Sequence, residues 1–208
     1  MTALLIAAAL CADPRIIYTK SFPGSTPAYV EIHLERDGAV TYLEKPDDDR
    51  PVNFRLAQSE ADEIFQLAGK LDHFKRPLES GLNVARMGEK TFQWVNGDER
   101  SKQSFNYSLE ADARALQDWF EKITETEMHL FALERTVRFD KLGVNKALLQ
   151  LEASWDKKRL LGVKQFEPLL KRVVSNESYL HMDRERAEKL LAAFQAASGD
   201  PAKASTAP

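Results

Sequence analysis

The sequence predicts an α+β fold, an antiparallel sheet of two hairpins with helices on one face, followed by an α-helical C-terminal extension. Three observations predict it. Period-two alternation recurs on both sides of Asp37-Gly38 and of Asn96-Gly97, as in half-buried antiparallel strands. Helical apolar spacing separates the two hairpins and returns after the second. From residue 139 onward only helical stripes occur.

The elements follow in order. Arg15 to Lys20 reads as a strand, and the stretch from Phe22 to Pro27 carries turn chemistry twice over. From Tyr29 to Arg36, Val30, Ile32 and Leu34 face one way and Glu31, His33 and Glu35 the other. Asp37-Gly38 supplies the positive φ of a two-residue hairpin, and Ala39 to Glu44 returns as partner strand. Val52 to Leu56 suggests a third strand. Ser59 and Asp62 resemble a capping pair before a helix whose apolar face is Ile64, Leu67, Ala68 and Leu71. Thr91 to Val95 and Gln103 to Tyr107 form the second hairpin, with Phe92, Trp94, Phe105 and Tyr107 at cross-strand spacing.

Ser108 opens the longest helix. Its apolar face runs Ala113, Leu116, Phe120, Ile123, Leu130, Leu133 and Val137, interrupted by Glu127. Three short amphipathic helices follow. Their stripes are Val144, Leu148, Leu151 and Trp155; then Phe166, Leu169, Leu170, Val173 and Val174; then Ala187, Leu190, Leu191 and Phe194, with Asp183 as cap of the last. These require a surface to cover them, either the long helix or a partner. The expected organisation is a signal peptide over 1–12, a sheet-and-helix domain over 13–138, a helical extension over 139–195 and a disordered tail over 196–208, rich in Ala, Ser, Pro and Thr.

Ala3 to Leu10 form an apolar run closed by Asp13-Pro14. It is too short to span a bilayer and has the length of a signal-peptide core, although no Lys or Arg precedes it. The expected location is therefore periplasmic or secreted. Cys11 is the one cysteine, and Ala-Ala-Leu-Cys resembles a lipoprotein cleavage box, with Leu10 bulkier than that box prefers. Lipidation at Cys11 is the lesser reading beside ordinary cleavage near Ala12, after which no thiol remains.

The formal net charge is −3, which argues against nucleic-acid binding. It is unevenly spread, with 15 basic and 22 acidic residues from Asp13 to Glu127, but 13 and 9 from His129 to Gln195. The basic cluster Lys157, Lys158, Arg159, Lys164, Lys171 and Arg172 is compatible with an anionic membrane surface or with a solvated helix side.

The block from Arg15 to about Glu127 resembles a family of small exported bacterial domains of unknown function. The match is carried by Phe22-Pro23-Gly24-Ser25-Thr26-Pro27-Ala28-Tyr29, Asp37-Gly38, Tyr42 and Trp119-Phe120. That family often has two cysteines in the first turn, which are absent here. The resemblance implies no activity.

Motif reading supplies little chemistry. No Gly-x-Ser-x-Gly elbow, Gly-rich phosphate loop or His-Glu-x-x-His occurs, so no cofactor, metal or catalytic residue is assigned. Asp47, Asp48 and Asp49 lack the spacing of a calcium loop. The histidines His33, His73, His129 and His181 are scattered. Glu125 and His129 lie four apart on one helix face, the only candidate site pair. The expected function is non-catalytic binding of another envelope or secreted protein. The alternatives are a hydrolase whose carboxylates converge only on folding, and a membrane-surface protein.

Overall fold

The computed structural model describes residues 13–198, so the leader, Cys11 and the last ten residues lie outside the described residues. The fold is α+β, a six-stranded antiparallel sheet with five α-helices. The strands are β1 (Arg15–Ser21), β2 (Tyr29–Glu35), β3 (Ala39–Leu43), β4 (Val52–Arg55), β5 (Glu89–Asn96) and β6 (Glu99–Phe105). The helices are α1 (Gln58–Lys70), α2 (Ala111–Phe139), α3 (Val144–Asp156), α4 (Glu167–Val174) and α5 (His181–Ser198). The two hairpins join into one sheet of order β4-β3-β2-β1-β5-β6, with β6 at one edge.

The chain divides into two compact units. Among the described residues the first comprises 13–53 and 58–116, the second 54–57 and 117–198. The division between the two units falls inside α2, between Leu116 and Gln117. No Gly or Pro interrupts 111–139, so nothing in the chain stops the helix where the units change.

In the first unit one face of the sheet carries the core. Tyr18 stands opposite Ile32 and Phe92, and Ile16 opposite Leu34 and Trp94, and all six are buried. Each such fully buried apolar side chain contributes about 1.5–3 kcal/mol. From α1, Phe65 meets Trp94 edge-on at 5.8 Å. The first hairpin differs from expectation. Arg36, Asp37 and Gly38 make a three-residue loop, with the Gly38 amide donating to the Glu35 carbonyl at 3.0 Å and Gly38 at φ 84°. That is a type I turn with a left-handed glycine, not a two-residue turn. The second turn comprises Gly97 and Asp98, shifted by one from Asn96-Gly97, so Tyr107 falls beyond β6.

The expected cap at Ser59 is absent. Helix α1 starts at Gln58, whose side chain bonds the Asp62 carboxylate and the Arg36 carbonyl. After α1, Asp72, His73 and Phe74 all adopt positive φ, a left-handed turn built without glycine. Such conformations cost about 1–2 kcal/mol per residue. The offset is local: Phe74 is fully buried and stacks on Phe92 at 5.2 Å, His73 stacks on Trp94 at 4.2 Å, and the Ser101 hydroxyl donates to the His73 carbonyl.

The second unit has its own core, in which Leu133 and Val137 of α2 meet Val144, Leu148 and Leu151, then Phe166, Leu170 and Val173, then Ala187, Leu190 and Phe194. The three C-terminal stripes are thus covered by one another and by α2. Two buried polar groups fit because each finds a partner. Glu127 accepts from Gln165 at 2.7 Å, and the Thr126 hydroxyl accepts the Leu161 amide at 3.0 Å. Asp183 is not a cap. It lies in the first turn of α5, fully buried, and accepts from Asn145 at 2.6 Å. Helix α5 runs to Ser198, so residues 196–198 are helical rather than part of a tail.

Candidate functional site

The pair expected on one helix face is brought together with groups remote in sequence. On α2, His129 Nε2 lies 4.0 Å from Glu125. From α3, the Ser154 hydroxyl donates to Glu125 Oε1 at 2.8 Å and meets His129 Nε2 at 2.9 Å. Arg159 Nε donates to Glu125 Oε2 at 2.9 Å, and the same guanidinium reaches Asp118. Asp118 also pairs with Lys122 at 3.1 Å.

The chemistry is that of a lock. Because the single Ser154 proton goes to the Glu125 carboxylate, the hydrogen-bond network favours the His129 tautomer that presents Nε2–H to the hydroxyl oxygen. Burial lowers the His129 pKa against the opposing effect of Glu125, keeping the imidazole neutral. Burial disfavours the Asp118 charge, yet Arg159 and Lys122 outweigh it and hold that carboxyl below its ordinary range. Serine, histidine and carboxylate meet here with the hydroxyl between the other two, so that in this arrangement Ser154 bridges Glu125 and His129.

The other residues singled out in the sequence are placed as follows. His33 lies on the polar face of β2 and bonds Glu31 at 2.6 Å, while Tyr29 donates to the other Glu31 oxygen. Burial opposes ionisation of Glu31, but these two donors prevail and lower its pKa. Lys45 lies 3.6 Å from Asp48 and 3.4 Å from Asp49, so the acidic loop carries its own cation. In the basic cluster, Arg159 belongs to the lock and Lys171 pairs with Glu167 at 2.8 Å. Among the described residues no group of three or more His, Cys, Asp or Glu side chains converges as metal ligands.

A different place has the character of a binding site. In the first unit the ends of β1, β5 and β6 and the irregular segment 77–88 enclose a groove of about 860 Å³. Phe22, Pro23, Leu82 and Val84 supply its apolar lining, and Glu79, Arg86 and Glu89 its charges. The segment is held by a latch. Glu79 accepts the amides of Ser80 and Asn106, at 2.8 and 2.6 Å, which holds its carboxyl below the usual range. Asn106 in turn accepts the Met87 amide at 2.9 Å and donates to the Ala85 carbonyl at 3.1 Å. The buried Lys90 ammonium donates to the carbonyls of Gly88, at 3.2 Å, and Asn106, at 2.6 Å. Gly88 has φ 89°, and a Cβ there would sit 2.8 Å from Phe22 Cβ, so the segment closes on Phe22 only with glycine.

The groove ends where the outer edge of β6 begins. Asn96 and Glu99 flank a two-residue turn and form the hydrogen-bonded closing pair, so bonded and non-bonded pairs alternate from there. Arg100, Lys102 and Ser104 fall on non-bonded positions and direct their N–H and C=O groups away from β5. No backbone bond from 99–105 to an element other than β5 occurs among the described residues. Arg86, Arg100 and Lys102 are exposed cations with no carboxylate partner among the described residues. Sequence reasoning missed this site. Pro77, Gly81 and Gly88 announce an irregular segment, but the latch depends on Asn106, which resembles any turn residue.

No protein-family model matches the chain, and no curated protein matches it.

Proposed function

We propose that this is an exported interaction protein of the bacterial envelope, and that it binds an extended, acidic segment of a partner protein by strand addition to β6. The observation that carries the reading is the outer edge of β6, with backbone groups turned outward and a groove of mixed apolar and charged lining at its end. Strand addition draws affinity from main-chain hydrogen bonds and specificity from pockets for alternate side chains. Arg86, Arg100 and Lys102 favour an acidic guest. The same cations oppose pairing of β6 with a second β6, because like charges would face each other across the new ladder. The apolar leader and the resemblance to small exported bacterial domains support export, and no catalytic role is proposed.

The reading is tested by fluorescence anisotropy with ten-residue peptides alternating Val with Glu or Val with Lys. The Val/Glu peptide binds and the Val/Lys peptide does not. Lys102→Pro leaves the sheet intact, because the N–H it removes points outward, and weakens Val/Glu binding by about tenfold or more. Equal binding of both peptides, or binding indifferent to Lys102→Pro, refutes strand addition. Mass spectrometry of the N-terminus of the protein recovered from producing cells tests export, since an intact leader on protein confined to the cytoplasm contradicts it.

A further inference from the structure

The turn between α2 and α3 exposes two large apolar side chains almost completely, Phe139 and Leu142, each 82% accessible. Phe139 ends α2 and Leu142 lies in the turn itself, while the neighbouring Val137 and Val144 are buried in the core of the second unit. The turn is firmly built. The Asp140 amide donates to the Thr136 carbonyl at 2.9 Å, and the Gly143 amide to the Asp140 carbonyl at 3.0 Å. The start of α5 stands beside it, since Tyr179 Oη donates to the Val137 carbonyl at 3.0 Å and Lys141 Nζ to the Ser178 hydroxyl at 2.9 Å. Leu180 and Met182, also more than half exposed, thus join the same end of the unit.

We propose that this end is a membrane-contacting tip, with Phe139 and Leu142 entering the interfacial region of an anionic bilayer. Phe139 and Leu142 stand almost wholly in water, and lipid receives such side chains without the shape complementarity that a protein partner requires. The surrounding charge selects the lipid. Arg135, Lys141 and Lys146 carry no carboxylate partner among the described residues and outnumber the two carboxylates at this end, Asp140 and Glu177, while Glu134 is paired with Arg138. The prearranged turn keeps the ordering cost of insertion low. Among the described residues no helix is long and apolar enough to cross a membrane, so the contact is peripheral. This tip is independent of the β6 edge, and each proposal stands or falls alone.

The test is flotation of the full chain with vesicles of phosphatidylcholine alone, or with roughly one third phosphatidylglycerol. The chain floats with the anionic vesicles, and added salt weakens the association. Phe139→Ser with Leu142→Ser lowers partitioning by about tenfold or more while the thermal melt is unchanged, because both side chains are already in water. The leader could itself hold lipid, so a second readout follows the tip directly. An environment-sensitive fluorophore on Leu142→Cys, in a Cys11→Ala background, shifts to the blue with anionic vesicles, and the same fluorophore on Lys189→Cys does not. Absence of that shift, flotation indifferent to the double substitution, or a self-association dissolved by it, overturns the proposal.

Discussion

Asn106→Ala isolates the latch that shapes the groove. The side chain makes two bonds to segment 77–88, accepting from Met87 at 2.9 Å and donating to Ala85 at 3.1 Å. Each contributes about 0.5–1.5 kcal/mol net, and both sit near solvent, so their joint loss is worth about 1–2 kcal/mol of local order. That corresponds to a factor of about 5–30 in the opening equilibrium. The Asn106 backbone amide still donates to Glu79, and Lys90 still ties Gly88 to the end of β6. Opening is therefore confined to the middle of the segment. Hydrogen exchange of the Met87 amide reports it directly, with a rate rise of about 5–30-fold and a nearly unchanged global melting temperature. Unaltered Met87 exchange refutes the latch. A cooperative loss of the whole first unit refutes its local character.

Three further outcomes are expected. Ser154→Ala leaves the His129 ring nitrogen without its partner and removes one donor from Glu125, destabilising the chain by about 2 kcal/mol in urea denaturation; no change would mean that the lock is decorative. Burial depresses the folded-state pKa of His129 below that of the unfolded chain, so its contribution is full above the unfolded value, about 6.5, and is lost as pH falls toward the lowered folded value; denaturation at successive pH values shows this slope in the native chain, and an equal slope in His129→Gln contradicts the assignment. Lys158 closes α3 at φ 56°, with the Arg159 amide donating to the Ser154 carbonyl at 2.9 Å, so Lys158→Gly stabilises by about 0.5–1 kcal/mol, and a lowered melting temperature contradicts this reading of the cap.

The parts of this fold legible in the sequence are those governed by a period. The β1, β2 and β3 alternation and the stripes of α2 through α5 assign strand, helix and buried face because side-chain direction repeats locally. Termini were less legible, since caps depend on contacts from elsewhere: Gln58 is held by Arg36, and Asp183 is drawn into the core by Asn145. The turn at Asp72, His73 and Phe74 gave no signal at all. Its left-handed backbone contains no glycine and persists through stacking on Phe92 and Trp94, which are remote in the chain. Spacing found the Glu125–His129 pair but not its meaning, which lies in Ser154 and Arg159, 25 or more residues away. The β6 edge was likewise hidden. A strand's neighbours are set by sheet order, and the alternation within β6 does not reveal that one side stays open.

The most direct test of the central claim is amide exchange along β6 with and without saturating Val/Glu peptide. The outward amides of Arg100, Lys102 and Ser104 become protected on binding, whereas those of Ser101 and Gln103, already bonded to β5, change little. Protection of the inward set alone, or of neither set while the peptide remains bound, contradicts the account.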